Sequence, residues 1–397
     1  MRILFCHNDY AREGGENTVS RDEVRILRDH GHEVVEYRRD SRETERYGAL
    51  AKARAWVEGL YSWRTRREVG RLVRQLRPEV AIVQNVFPLI SPSVYDALRA
   101  GGVPIVQLVF NYRLVCPNAQ LFVEGAVCER CLGGHTLHAA AHRCMRGDLA
   151  ISVWYALILG LHRARRTMLR AIDRYVVPHP FVGRKLVEGG VPPERVRVNA
   201  NPFVVPAAPA ESEAEPPYVL FVGRVVVEKG VLTLVQALEQ VPPPLRLVVV
   251  GDGEALPDVR AYLAARPELA ARVDLAGARW GEELQALYRG ALAFVLPARW
   301  YDPSPLLLYN ALALGKPAVA TSLGSQPEIV EDGVNGFIVP PGDPAALADR
   351  LGRLASDPAL RRRLGAAGRA KAEALLGAET HYRGLCAVLD ELAPGAA

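Results

Sequence analysis

Strand-sized apolar runs alternate with helix-patterned stretches along the whole chain, a rhythm that calls for parallel sheets joined by crossover helices. Residues 2–6, 34–37, 80–84 and 104–110 read as buried-type strands, and 174–177 and 196–199 complete that set. The loop 8–15 follows the first strand, and a helix pattern runs from about residue 16 to 30. A second set of strands opens at 218–223 and continues at 245–251, 273–276, 293–296 and 318–321. Helix patterns at about 344–355, 357–376 and 379–392 end the chain. Between the two sets, residues 202–217 hold five prolines and three glutamates and read as a linker. At 397 residues the chain exceeds one ordinary core, so two doubly wound α/β domains are the natural division. The expected boundaries are 1–205, with an irregular insertion at 111–148, then the linker 206–217, and 218–376, with a last helix in 377–397.

Composition agrees with a water-soluble globular chain, at 49% apolar and 23% charged residues. Met1-Arg2-Ile3-Leu4-Phe5 runs straight into a polar loop, which is not a cleavable leader pattern. The longest apolar stretch, 149–161, is too short to cross about 30 Å of hydrocarbon. The expected location is therefore the cytoplasm. The net charge of +5 is uneven, since residues 1–205 carry 31 Lys/Arg against 21 Asp/Glu and residues 206–397 carry 18 against 23. Basic residues concentrate in 54–77 and 163–174 at helical spacing. Two readings stay open: solvated helix faces, or peripheral contact with an anionic surface such as the inner membrane leaflet or an acidic acceptor. No aromatic-basic platform points to nucleic acid.

The chemistry-bearing residues fall at strand ends. Arg299-Trp300-Tyr301-Asp302-Pro303-Ser304-Pro305 leads into an apolar helix from Leu306 through Asn310 to Gly315-Lys316-Pro317. A strand at 318–321, Pro327-Glu328 and a Gly-bounded turn at 336–342 follow within about forty residues. Such stacking gathers backbone N–H groups at the carboxyl ends of parallel strands, where phosphorylated ligands are held. Gly223-Arg224 and Lys229-Gly230 lie just past another strand, Gly251-Asp252-Gly253 past the next, and Ala278-Arg279-Trp280 past a third. Gly14-Gly15, between the first strand and its helix, lets backbone approach a ligand, although any strand-to-helix turn can use glycine.

Together these motifs resemble the donor-sugar site of retaining family 4 glycosyltransferases, which have the GT-B fold of two Rossmann-like domains facing a cleft. The likeness covers both domains, strongest over 218–342 and clear again at 104–131. It implies that Arg224 and Lys229 grip the donor diphosphate and that Asp302 meets the transferred sugar. It further implies donor contacts from Gly14, Gly15, Gly223, Gly251, Arg279, Ser304, Pro305, Leu306, Asn310 and Glu328. Asp9, Phe110 and Asn111 fall on the acceptor side. The last helix is expected to cross back onto the first domain. Transfer with retention needs charge stabilisation on the leaving diphosphate, which cations and helix N-termini supply without a catalytic metal. No Asp-x-Asp occurs in the chain, which removes the usual signature of metal-dependent GT-A enzymes.

Three positions depart from the family pattern. The family's paired glutamates are Asp302 and Asn310 here, and a histidine that points at the donor sugar is Phe110. A shorter carboxylate needs closer approach, and an amide is a weaker acceptor for a ribose diol than a carboxylate. The pattern leaves three functions open: a transferase moving sugar from a nucleoside diphosphate, by default UDP, to a hydroxyl of a glycan, lipid-linked saccharide or natural product; a donor-binding relative without turnover; or a nucleotide-sugar 2-epimerase.

Cys116, Cys128, Cys131 and Cys144 cluster in the insertion with a Cys-x-x-Cys knuckle. In a cytoplasmic chain disulfides are disfavoured, and four thiolates satisfy a tetrahedral structural zinc. Unpaired thiols packed in a core are the equal alternative.

Overall fold

The computed structural model describes residues 1–11, 14–206 and 213–393. Residues 207–212 of the expected linker, 12 and 13 of the first loop, and 394–397 of the closing segment lie outside the described residues. The chain divides into two compact units. The first is Met1–Gln120, Glu129–Pro202 and Ala378–Ala397; the second is Leu121–Cys128 and Phe203–Gly377.

The strands in chain order are β1 (Arg2–Asp9), β2 (Glu33–Asp40), β3 (Val80–Val83), β4 (Ile105–Leu108), the short hairpin β5 (Phe122–Val123) and β6 (Ala126–Val127), β7 (Arg174–Val177) and β8 (Val196–Val198). In the first unit they form a six-stranded parallel sheet of order β2-β1-β3-β4-β7-β8. The antiparallel hairpin groups with the second unit, so the insertion 111–148 is not wholly a feature of the first. β1 runs to Asp9 and β2 from Glu33 to Asp40, both longer than hydropathy suggests. Pairing from Arg2↔Glu33 through Asp9↔Asp40 explains this, because the ladder satisfies backbone groups of polar residues as well as apolar ones.

Ile3, Phe5, Ile82, Val106, Leu108 and Val176 pack against Val24 and Leu27 of the helix Gly15–Asp29. Leu385, Val388 and Leu389 of the closing helix Ala378–Asp390 belong to the same core. Each such side chain is worth about 1.5–3 kcal/mol of burial. A buried ion pair reinforces that packing. His381 reaches Glu23 at 3.0 Å through Nε2 and the Ala200 carbonyl at 2.6 Å through Nδ1. Carbonyl and carboxylate oxygens accept, so these two contacts favour the protonated imidazole. Burial works against that charge, but Glu23 and the Ala200 carbonyl outweigh it and hold the His381 pKa above the ordinary value.

The second unit repeats the architecture with β9 (Tyr218–Val222), β10 (Arg246–Val250), β11 (Val273–Gly277), β12 (Ala293–Leu296), β13 (Ala318–Thr321) and β14 (Gly336–Val339), ordered β11-β10-β9-β12-β13-β14 and all parallel. β14 corrects the sequence reading, which placed residues 336–339 in a turn. Its pairing from Ala318↔Gly336 to Thr321↔Val339 needs glycine at the start, since a Cβ on Gly336 would lie 2.1 Å from the Ala318 carbonyl oxygen. Basic residues 54–77 lie on two helices, Ala49–Leu60 and Trp63–Leu76, the second capped by the Ser62 hydroxyl. Among the described residues no helix is long and apolar enough to cross a membrane.

Candidate functional site

In a parallel sheet every carboxyl terminus opens on the same edge, so the motif residues of the second unit gather there. β9 and β12 are neighbours, with Phe294 opposite Leu220. Gly223, with φ +142°, ends β9, and Gly251, with φ +138°, ends β10. A Cβ on Gly251 would stand 1.9 Å from the Gly223 carbonyl oxygen, so only glycine lets these strand ends approach. The chain then passes Arg224 and a short 3₁₀ turn, Val227–Lys229, which is followed by Gly230.

That turn aims Lys229 at the segment after β12. Its Nζ lies 2.5 Å from Asp302 Oδ2, with the two side chains 13% and 7% exposed. The Trp300 ring centroid is 5.5 Å from the ammonium. Lys229 and Asp302, to which the family pattern assigns different partners, thus form one nearly buried ion pair. Arg224 stands more open, with its guanidinium 3.5 Å from Glu228. The loop carrying Asp302 is clamped: the Ser304 N–H donates to Asp302 Oδ1 at 3.3 Å, and the Ser325 hydroxyl donates to the Asp302 carbonyl at 2.9 Å. Pro305 precedes the helix Leu306–Ala313, whose first residue is Leu306.

Other predicted residues take their places along the same edge. Asn310 hydrogen-bonds the buried Tyr288 phenol; burial pushes that phenol up and the amide offsets part of the effect. Glu328 is exposed on the short helix Gln326–Ile329. Arg279 lies 3.7 Å from Glu283, and Trp280 is exposed at the start of the helix Gly281–Gly290. Sequence reasoning missed Arg299. Its side chain runs beside Gly125, Gly230 and Gly342, 3.6–3.9 Å from where a Cβ would stand at each. Its place two residues beyond Pro297, at the end of β12, was the available signal.

The first unit carries a different arrangement at its own carboxyl edge. A cavity of about 30 Å³, room for roughly one water-sized group, is lined by Glu16, Gln84, Asn85, Gln107, Phe110, Asn111 and Arg113 among others. Asn111 donates to Glu16 Oε1 at 2.9 Å and to the Tyr10 hydroxyl at 3.3 Å. Burial raises the Glu16 pKa, against the opposing hydrogen bond from Asn111 and the nearby His7. Gln84 Oε1 and Arg113 Nε are buried with no hydrogen-bond partner, which marks the cavity as a place for a polar group. Phe110 is part-buried, with its ring against the sheet core. Asp9 pairs with Arg38 at 3.0 Å. Burial raises its pKa, but His7 and Arg38 together outweigh this and hold the carboxylate below its usual range, which makes it a poor base.

Gly14 has extended φ at −167°, and neither Gly14 nor Gly15 would bring a Cβ within 4 Å of any neighbour. Nothing among the described residues requires glycine there. Glu16, Gln84 and Arg113 were missed by sequence reasoning. The one available signal was a carboxylate directly after the glycine pair, at a helix start that favours negative charge.

The zinc expectation finds no assembled ligand set. Among the described residues no three His, Cys, Asp or Glu side chains are grouped to hold a metal. Cys131 packs with Ala139 and Ala156 in a small apolar cluster that Cys144 joins, and the Cys116 thiol donates to Asn118 at 2.9 Å. No disulfide links any of the cysteines.

Each unit is thus a doubly wound parallel sheet whose polar and charged side chains collect at its carboxyl edge. A glycosyl transferase 4-like domain model matches residues 14–202, and a glycosyl transferases group 1 model matches residues 207–371. The chain belongs to the GT-B glycosyltransferases of family 4 type. It is 33% identical over 151 residues to the alpha-D-kanosaminyltransferase of Streptomyces kanamyceticus, covering 37% of this chain and 39% of that protein. It is 38% identical over 157 residues to a D-inositol 3-phosphate glycosyltransferase of Xylanimonas cellulosilytica, covering 39% and 37%. The chain therefore spans about two-fifths of the length of these curated relatives. Anabaena HepE in complex with UDP shares the fold at TM-score 0.70 and 17% identity, over 98% of this chain and 100% of that one.

Proposed function

We propose that the chain transfers a sugar, with retention, from a nucleoside diphosphate to an acceptor hydroxyl, and that the donor is a UDP-sugar. The observation that carries this is the Lys229–Asp302 pair at 2.5 Å, on adjoining strand ends beside the more open Arg224. Two cations there suit the charge that grows on a departing diphosphate; in this reading a sugar hydroxyl displaces Lys229 from Asp302. Family membership and the UDP complex of a fold relative support the donor class. The relatives' transferase names favour transfer over the epimerase alternative.

The acceptor hydroxyl attacks the anomeric carbon beside the leaving diphosphate. Its proton passes to the departing phosphate oxygen, so no separate base is required. Arg224 and Lys229 supply the countercharge, and no step is assigned to a metal. Placement and electrostatics then carry most of the acceleration. The acceptor is a glycan, a lipid-linked saccharide or a natural product.

The test incubates the protein with UDP-, GDP- and dTDP-sugars, with and without a panel of hydroxylated acceptors. Acceptor-dependent release of UDP with an α-linked product from an α-linked donor is expected, unchanged by EDTA. Tight UDP binding without release with any acceptor would replace transfer by donor binding alone.

A further inference from the structure

The helix Leu149–Ala164 contains no acidic residue, and its Leu149, Val153 and Leu157, four residues apart, form a stripe along one face. Leu149 and Leu157 are 50% and 51% exposed. The stripe meets the helix Ala49–Leu60, where Trp56 is 42% exposed and Val57 67% exposed. Together Trp56, Leu149, Ala150, Val153, Trp154 and Leu157 line an open apolar groove of about 540 Å³ within the first unit. The Trp154 indole donates to the Trp56 carbonyl at 2.7 Å, and the two rings lie 5.2 Å apart. Gly59 lies against Trp154, where a Cβ would stand 2.2 Å from the ring, so the two helices are held close. This is a built surface of rigid aromatics, larger and more continuous than singly scattered apolar residues.

The segments flanking the helix are basic. Residues 143–170 carry six arginines and one carboxylate, Asp148. Arg143 and Arg146 are exposed just before the helix, and Arg165 and Arg166 just after it. They bracket an apolar stripe on a helix about 24 Å long. The acidic groups near it are engaged: Asp148 accepts the Ile151 N–H at 2.9 Å, and Glu58 pairs with Arg54 at 2.7 Å. Trp63, 64% exposed, begins the next helix with Arg66 at 5.5 Å from its ring.

The geometry points to a docking surface for a bilayer containing anionic lipid. Tryptophan and leucine enter the boundary between headgroups and acyl chains, and arginines at both ends meet lipid phosphates. The helix lies in the interface plane rather than crossing it, consistent with its 16 residues. Charge complementarity selects this occupant over a second copy of the chain, whose matching patch would set arginine against arginine. None of these residues belongs to the site proposed for transfer, so the inference holds or fails without that reading.

The experiment sediments the full chain with vesicles of phosphatidylcholine alone and of phosphatidylcholine mixed with phosphatidylglycerol. Binding to the mixed vesicles is expected, with a blue shift of tryptophan emission, and at least about tenfold weaker on neutral vesicles or at high salt. The exposed pair Leu149→Gln with Leu157→Gln should lower binding about tenfold or more at unchanged Tm. Arg165→Ser with Arg166→Ser should weaken it and flatten the salt dependence. Equal affinity for both vesicle types, or binding to neither, would overturn the proposal. So would a concentration-dependent dimer that Leu157→Gln dissolves.

Discussion

The two units reach similar sheets by different means, and the contrast lies at their carboxyl edges. The second unit builds its edge from short contiguous pieces: glycines at 223, 230 and 251 bring backbones into contact, and one ion pair bridges two loops. The first unit builds its edge from buried side chains far apart in sequence, with Glu16, Gln84, Gln107 and Asn111 around one small cavity. An edge built from backbone needs glycine at fixed places and so shows in the sequence as motifs. An edge built from side chains far apart in the chain leaves no such local mark. On the proposed function, the second edge is the one that holds the donor diphosphate.

The strongest test of that contrast removes the cation at the centre of the second edge. Lys229→Ala should lower kcat/KM by two to three orders of magnitude, the scale for losing one preorganised charge partner. It also leaves Asp302 nearly buried and unpaired, which costs stability by itself. The double variant Lys229→Met with Asp302→Asn separates the two effects. Its Tm should return toward the parent while transfer stays lost. Recovery of transfer in the double variant would remove Lys229 from the leaving-group role.

The contrast also explains what could be read before the structure was known. Alternating apolar runs revealed ten of the parallel strands at nearly their true positions, because parallel strands buried on both faces are locally apolar. They also gave 34–37 as part of β2, but missed its polar ends, His7 to Asp9 of β1, and all of β14, where ladder pairing rather than hydropathy decides. The Arg224, Lys229 and Asp302 positions were legible because each follows a recognisable strand. That Lys229 and Asp302 pair with each other was not, since 73 residues separate them. Asp9 was legible as a carboxylate on the first loop, but Arg38 beside it comes from another strand. Glu16 and Gln84 meet only through the sheet order. The hairpin Leu121–Cys128 grouping with the second unit had no sequence signal at all.

Gly251→Ala should have the next largest effect, this time on folding. The substitution forces a side chain into positive φ and onto the Gly223 carbonyl at 1.9 Å, so strands must separate. A loss of at least about 3 kcal/mol is expected, read as a lowered denaturation midpoint. A stable Gly251→Ala protein would show that the strand ends have slack.

The first unit should respond to pH instead. Native His381 has a raised pKa, so its pairing with Glu23 contributes fully below the unfolded value near 6.5 and is lost as pH rises through the native value. His381→Gln should therefore cost about 2 kcal/mol near pH 6 and progressively less in alkali. Glu16 has the same sign, in a more acidic window. Its raised carboxyl pKa means that the native state holds a proton the unfolded chain releases, so stability falls as pH climbs from the ordinary carboxylate range through the native value. Urea midpoints across pH for the two variants check both windows: Glu16→Gln should flatten the acidic-side fall while keeping the Asn111 hydrogen bond.

The smallest effect on stability is the most diagnostic, because it sets one glycine turn against another. Gly15 opens the first helix with nothing within 4 Å of where a Cβ would go. Alanine favours a helix over glycine by up to about 1 kcal/mol, so Gly15→Ala should leave Tm unchanged or raise it slightly. If the turn is glycine only for the backbone's sake, transfer is untouched as well. If it is glycine because donor or acceptor lies against the bare backbone, KM rises several-fold in a protein that is no less stable. The second outcome is expected, since neither packing nor positive φ demands the residue. A Gly15→Ala enzyme with parental KM for both substrates would reduce the glycine pair to a plain connection, leaving the first unit's edge built from side chains alone.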